Sequence, residues 1–232
     1  FIATASAVMN VGAKPIFCDI DENFLLDFNK LDKMINRKTK AVIIVHFGGL
    51  IHQEIFKIKK YLSNKNIFLI EDSSHAHGAT INDLKAGNLS DASAFSLYSS
   101  KIITTGEGGL ITTNNKKIYL KCSSIRSRGL NVTSNKEIYS ELGSNYRFTE
   151  IQALLGLMQL KNIDKFINHR LKIANIYKDI LAHAIKEKKI RIIKESKNIL
   201  NPRWKYTVFL LNNQSREKIK KNMKKKMISI DW

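Results

Sequence analysis

The chain has 232 residues, of which 39 are Lys or Arg and 20 are Asp or Glu, so its formal net charge is +19. Hydrophobic residues make up 44% of it, enough for a sizeable core, which excludes wholesale disorder. No apolar run approaches the ~20 residues of a membrane helix, so we expect no membrane partner. Cys18 and Cys122 cannot form a disulfide framework, which is compatible with a cytoplasmic protein.

The positive charge lies in the second half of the chain. Residues 1–110 carry 12 basic and 11 acidic side chains, whereas residues 111–232 carry 27 and 9. A basic half of this kind occurs in proteins that bind nucleic acid or anionic membranes. We favour lysines on solvated faces, because this half lacks the ladder of stacking aromatic residues that single-strand binders use. A non-catalytic protein that binds nucleic acid through its basic half is kept as the alternative.

Both ends of the chain read as interrupted elements. Residues 1–8 (FIATASAV) have the pattern of a helix interior with no capping residue before it, and residues 230–232 look like part of a strand. No initiator Met and no leader pattern precede them. We therefore expect a fragment of a longer protein that lacks both ends.

Strands and helices alternate through the first half. In chain order, the patterns predict a strand over 15–20, a helix over 25–35, a strand over 41–45, a helix over 53–62 and a strand over 67–70. The continuous apolar run 41–45 is typical of a strand buried on both faces. This alternation predicts an α/β fold in three layers, with helices on both sides of a mainly parallel sheet. Ligands of such sheets lie beyond the carboxyl ends of the strands, which places the expected chemistry at Asp72 and the loop 73–78.

The second half of the chain does not continue the regular alternation of strands and helices. The patterns predict strands over 92–97 and 110–113, a long helix from 151 to about 183 capped by Thr149, strands over 190–193 and 206–211, and a basic helix over 215–226. We therefore expect a large domain over residues 1–170 and the start of a small α+β domain over residues 171–232.

Asp72 and Lys101 together suit pyridoxal phosphate chemistry. That cofactor needs a lysine amine for its aldehyde and a carboxylate that keeps its ring nitrogen protonated. Lys101 follows a Ser-rich segment and precedes a Gly-rich turn, which could supply hydroxyl and N–H groups for the phosphate. By spacing alone the pair is a weak signal, since a strand-ending Asp is often a cap and a single lysine is usually solvated.

The histidines of the first half suggest weaker alternatives. His75 and His77 with Asp72 could suggest a metal, but no Cys or His cluster completes a zinc site, so we expect none. His46 follows an apolar strand and could line the mouth of a site, although we favour a packed residue with one backbone hydrogen bond.

Four blocks of sequence, in order, carry a resemblance to a known family. They are 1–8 with 12–21 (FIATASAV, GAKPIFCDID), 70–79 (IEDSSHAHGA), 91–101 with 104–109 (DASAFSLYSSK, TTGEGG) and 145–153 (NYRFTEIQA). The chain resembles the DegT/DnrJ/EryC1/StrS family of sugar aminotransferases over nearly its whole length. This resemblance implies a fold-type-I pyridoxal phosphate enzyme with an architecture similar to aspartate aminotransferase.

The resemblance also implies roles for individual residues. Lys101 matches the lysine that carries the cofactor, and Asp72 matches the carboxylate on the pyridine nitrogen. The other matches are His75 near the ring's phenolic oxygen, Ser96 as a phosphate ligand, Phe1 as the aromatic stacked on the ring, and Asn145, which reaches a neighbouring subunit's cofactor phosphate. Some family members carry His in place of the lysine and act as dehydratases. The presence of Lys101 indicates that this chain does not belong to that branch.

The expected function follows from this resemblance. It implies transfer of an amino group to a nucleotide-linked keto sugar, with glutamate as donor, in a homodimer with shared active sites. The family's phosphate-binding turn is expected upstream of Phe1, and the segment that closes the small domain is expected beyond Trp232.

Overall fold

The structure, a computed structural model, describes residues 1–211 and 216–226. The helices of this part are α1 (Ile2–Asn10), α2 (Phe28–Met34), α3 (Ile55–Ser63), α4 (Lys116–Arg126), α5 (Glu150–Leu160), α6 (Ile163–Lys186) and α7 (Arg216–Lys225). The strands are β1 (Ala41–Val45), β2 (Phe68–Asp72), β3 (Thr80–Ile81), β4 (Leu84–Lys85), β5 (Ala92–Ser96), β6 (Gly109–Thr112), β7 (Ile190–Ile192), β8 (Ile199–Leu200) and β9 (Val208–Leu210).

The central sheet has the strand order β1-β2-β5-β6. β1, β2 and β5 run parallel, and β6 pairs with β5 in the antiparallel direction. The carboxyl ends of the parallel strands therefore meet at one edge, where the backbone N–H of His46 donates to the Asp72 carbonyl at 3.1 Å and that of Ser73 donates to the Ala94 carbonyl at 2.8 Å. The predicted mainly parallel α/β architecture is confirmed, with Asp72 at the edge where ligands of such sheets bind.

The core lies on one side of β1 and β2. Burial alternates along both strands, so Ile44 and Leu69 are fully buried while the residues between the buried positions are less covered. α3 packs against β2 and contributes three fully buried side chains, those of Ile55, Ile58 and Leu62. Full burial of an aliphatic side chain of this size contributes about 1.5–3 kcal/mol. The expected burial of the run 41–45 on both faces is not found in the described chain.

The chain divides into two compact units. The first comprises residues 1–171 and 195–205, and the second comprises residues 172–194 and 206–232. The first unit holds the central sheet and a small antiparallel sheet in the order β4-β3-β8. In the second unit β7 and β9 pair antiparallel, with Ile190 opposite Leu210. Among the described residues, no helix is both long and apolar enough to cross a bilayer.

Two predicted elements differ from the structure. Residues 15–20 form no strand, because in the described chain their one strand-like pairing is a bridge between Ile20 and Leu26. The predicted helix from 151 to about 183 is two helices, α5 and α6. The Asn162 side-chain amide donates to the Met158 carbonyl at 2.9 Å, so it satisfies a terminal carbonyl of α5 and ends that helix.

Thr149 caps α5 as predicted, with Gln152 completing a capping box. The predicted strand-like end at residues 230–232, and Ser215 at the start of the predicted basic helix, lie outside the described residues.

Candidate active site

Asp72 ends β2 and is held by two neighbouring hydroxyl groups. Thr4, on α1, donates from Oγ1 to Asp72 Oδ2 at 2.7 Å. Ser74 donates to Asp72 Oδ1 from its hydroxyl at 2.5 Å and from its backbone N–H at 3.1 Å. Burial raises the pKa of the Asp72 carboxyl, but the hydrogen bonds from Ser74 and Thr4 lower it by more, so the pKa lies below its ordinary value. The group is therefore an ionised carboxylate at neutral pH.

Lys101 lies in the loop after β5 and is half-buried. Its backbone N–H donates to the Tyr98 carbonyl at 3.0 Å, which closes the turn that presents the side chain. Burial lowers the pKa of the Lys101 amine, the charge of Asp72 raises it, and the charge of Lys205 lowers it again, with a net shift below the ordinary value. A lysine shifted in this direction releases its proton more readily than a solvated one, as a nucleophilic amine must.

His75 lies beside the same groups. Its imidazole stacks on the Trp204 indole with 3.6 Å between ring centroids and 15° between the planes. The backbone N–H of Gly48 donates to His75 Nδ1 at 3.4 Å. Burial, and after it the positive charge of Lys101, lowers the pKa of His75 to about 4, so the ring is neutral at physiological pH.

The structure brings Asp72, His75 and Lys101 into one cluster. The Trp204 indole that stacks on His75 lies 4.4 Å from Lys101 Nζ, and Asp72 is hydrogen-bonded to Ser74, the residue before His75. In agreement with this, the charges of Asp72 and Lys101 both act on the pKa of His75. Phe1 is 98% exposed and lies at the start of α1, the helix whose Thr4 hydroxyl donates to Asp72. Ser96 ends β5, where its hydroxyl accepts from the Tyr98 N–H at 3.3 Å.

Asn145 is exposed in the loop before α5 and makes local contacts. Its backbone bridges Ser127, and its Oδ1 accepts from Arg147 Nε at 3.0 Å. This loop position is compatible with the role that the resemblance implies, contact with a neighbouring subunit.

Four contributors to the cluster were given no role from the sequence: Thr4, Ser74, Trp204 and Lys205. Ser74 lies in the loop 73–78, where chemistry was expected. Thr4 carried a weak signal, since it lies one helical turn after Phe1 on the predicted first helix. Trp204 and Lys205 lie about a hundred residues after Lys101 in a basic stretch without a motif, so no local pattern could have placed them at the site.

A second polar group includes Glu71, the residue that precedes Asp72 in β2. His46 and Glu71 are both 0% exposed, and His46 Nε2 donates to Glu71 Oε2 at 2.8 Å. Burial raises the pKa of Glu71, but the hydrogen bond and charge of His46, with the Gly87 N–H and the Ser90 hydroxyl, lower it by more. His46 is therefore a packed residue as expected, although its side chain bonds to a carboxylate rather than to the backbone.

Comparison with known proteins decides the family. Residues 1–232 match the family model described as the DegT/DnrJ/EryC1/StrS aminotransferase family. The chain belongs to this family. The resemblance predicted from the four sequence blocks is confirmed.

Individual relatives agree with this assignment. A GDP-perosamine synthase of Escherichia coli O157:H7 is 34% identical over 230 residues, covering 98% of this chain and 61% of the relative. One of Caulobacter vibrioides is 38% identical over 183 residues, covering 78% and 49%. The chain thus spans about half to three fifths of the length of these curated relatives.

The solved structure of an aminotransferase from Psychrobacter cryohalolentis superposes with a TM-score of 0.91 at 28% identity, covering 97% of this chain and 62% of that one. The predicted fold of the pyridoxal-phosphate-dependent aminotransferases is confirmed.

Proposed function

We propose that the protein containing this chain is a pyridoxal-phosphate-dependent aminotransferase that converts a nucleotide-linked keto sugar to an amino sugar. One observation carries the proposal: the structure brings an ionised carboxylate, Asp72, and a lysine of lowered pKa, Lys101, into one cluster at the carboxyl edge of the sheet. These are the two groups that this cofactor requires from a protein, a carboxylate for its ring nitrogen and an amine for its aldehyde.

The residues of the cluster fit the cofactor. Lys101 would hold its aldehyde carbon, and Asp72 would pair with its ring nitrogen. By resemblance, Ser96 would bind its phosphate, His75 would lie near its phenolic oxygen and Phe1 would stack on its ring. When bound, pyridoxal phosphate supplies an electron sink that makes the α-proton of an amino donor acidic.

The chain's own residues hold and transfer the protons of the reaction. The Asp72 carboxylate holds a proton on the ring nitrogen, because the hydroxyls of Thr4 and Ser74 keep that carboxylate ionised. The Lys101 amine, once free of the cofactor, would take the α-proton of the amino donor at Nζ and pass it to the cofactor, and would carry out the reverse transfer with the sugar substrate. His75 is neutral at pH 7, so its ring can accept or donate one hydrogen bond without adding a positive charge.

Two arguments support the substrate class. Both curated relatives compared above are GDP-perosamine synthases, whose name contains a nucleotide-linked amino sugar. Glutamate as amino donor follows from the family resemblance. We also propose that the chain's second unit belongs to the small domain expected in this fold.

The decisive experiment uses the full-length protein. It is loaded with pyridoxal phosphate, reduced with borohydride and digested, and the pyridoxyl group is located by mass spectrometry. We expect the label on Lys101. Lys205, whose Nζ lies 4.8 Å from the Trp204 ring that Lys101 also approaches, is the internal control and should be unlabelled. A label on any other lysine would contradict the assignment. Amino transfer from glutamate to GDP- and UDP-linked keto sugars then tests the substrate class.

We further propose a homodimer in which Asn145 completes the neighbouring subunit's phosphate site. The exposure of Asn145 and the family resemblance support this. In an isologous dimer, equal mixing of Lys101→Ala and Asn145→Ala subunits, each inactive alone, makes mixed dimers with one intact site. Activity should recover to about a quarter of the wild-type value. Mixed dimers that stay inactive would show that each site is built by a single subunit.

A further inference from the structure

Trp204 contacts two of the residues assigned to the site. It lies in the segment 195–205, which returns to the first unit. Its indole is stacked on His75 at 3.6 Å, and the Lys101 Nζ lies 4.4 Å from the indole ring centroid. The indole N–H donates to the carbonyl of Ser100, the residue before Lys101, at 2.8 Å. One side chain thus joins the His75 loop to the Lys101 loop.

The segment that carries Trp204 is itself tightly fixed. Gly49 has φ +95°, and a Cβ there would lie 2.9 Å from both the Asn201 Oδ1 and the His75 carbonyl, and 3.1 Å from Pro202. Only glycine lets the segment approach this closely. On the other flank, the Arg170 guanidinium donates to the Trp204 carbonyl at 3.3 Å. The backbone on both sides of Trp204 is therefore fixed, which limits the positions that its indole can take.

A fixed aromatic ring next to a lysine has a defined physical effect. A lysine has four rotatable side-chain bonds and loses considerable freedom when it is ordered. The ring face attracts the ammonium, and the stacked imidazole cannot tilt without losing its contact with the indole. Both effects restrict where the Lys101 amine and the His75 ring can lie relative to Asp72.

We propose that Trp204 is a positioning residue of the active site, which orients the His75 ring and the Lys101 amine through direct contact with both. This inference rests on the proposed function, since that proposal makes Lys101 and His75 site residues.

The test measures the reactivity of Lys101 in the cofactor-free, full-length protein. Competitive acetylation over a range of pH, with peptides quantified by mass spectrometry, reports the fraction of free amine at each lysine. In Trp204→Leu the ammonium loses the ring that favours its charged form, and we expect Lys101 acetylation below pH 8 to rise by about two- to five-fold. Trp204→Phe keeps an aromatic face and should restore most of the wild-type profile.

A matched control removes an equivalent contact elsewhere. Arg191 lies 3.7 Å from the Phe209 ring centroid, in the second unit. Phe209→Leu loses that cation–π contact and should leave the Lys101 profile unchanged. A Trp204→Leu protein with a wild-type circular dichroism spectrum and an unchanged Lys101 profile would overturn the proposal.

A second measurement needs no variant that must fold. In the wild-type protein the ring current of the indole should shift the His75 Hε1 resonance upfield, and a resonance at the usual position would also overturn the proposal. Neither the acetylation profile nor the His75 resonance involves the cofactor. A failure of the proposed function would instead show as a pyridoxyl label on another lysine, so the two failures can be distinguished.

Discussion

Glu71→Gln should destabilise the protein, although the two side chains have nearly the same shape. Glu71 is fully buried and accepts four hydrogen bonds on its two oxygens. Oε2 accepts from His46 Nε2 at 2.8 Å and from the Gly87 N–H at 3.0 Å. Oε1 accepts from the Leu89 N–H at 3.1 Å and the Ser90 hydroxyl at 2.8 Å. Every group around this carboxylate is a donor.

The magnitude follows from which donors can adjust. Glutamine replaces one oxygen with an NH₂ group, which is itself a donor. The His46 ring can change tautomer and the Ser90 hydroxyl can rotate, but a backbone N–H can do neither. Whichever way the amide is oriented, either the part-buried N–H of Gly87 or the buried N–H of Leu89 is left without its acceptor. Such a group costs about 1–3 kcal/mol, so the free energy of unfolding should fall by about that amount.

Urea unfolding of the cofactor-free, full-length protein, followed by circular dichroism at one protein concentration, measures this loss. The control is Glu54→Gln, because Glu54 pairs with Lys57 on the surface with side chains 40% and 74% exposed. That change should stay within about 0.5 kcal/mol. If Glu71→Gln costs no more than Glu54→Gln, the four-donor argument is wrong.

Two further predictions concern charge. Asp72→Asn should keep cofactor binding and lower turnover by about a hundred-fold or more, because a preorganised charge is lost. Near-normal transamination of this variant in steady-state assays would show that Asp72 has a structural role only. Burial, and after it the charge of Lys101, lowers the pKa of His77 to about 4, whereas in the unfolded chain this pKa is about 6.5. Between about pH 6.5 and 4 the folded protein therefore binds fewer protons than the unfolded chain. Unfolding free energy should therefore fall as pH drops through that window, by at most about 3 kcal/mol from this group. His77→Gln should flatten the slope, and an equal slope in both proteins would contradict the assignment.

Local patterns predicted the elements that depend on local physics. β1, β2 and β5 lie within a residue or two of their predicted ranges, because apolar runs bounded by polar residues leave few alternatives. The strand over 15–20 failed because a strand also needs a partner, which local sequence does not contain. The break between α5 and α6 depends on one side-chain bond from Asn162, a residue that a helical pattern tolerates.

In the candidate site, too, residues in local motifs could be predicted from the sequence, whereas residues that depend on long-range contacts could not. Motif blocks located Asp72 and Lys101 because each block is local. The contact between His75 and Trp204 joins residues more than a hundred positions apart, and no periodicity marks it. Residues that position others through long-range contacts therefore have to come from the structure.

The end of β2 shows how one strand serves both stability and chemistry. Side chains alternate across a strand, so the adjacent carboxylates Glu71 and Asp72 face opposite sides of the sheet. Glu71 faces the buried side and ties the end of β2 to His46 and to the loop 87–90. Asp72 faces the other side, where Thr4 and Ser74 hold it ionised. Since one backbone carries both groups, the buried network limits how far the Asp72 carboxylate can move, although it touches none of the groups that would react.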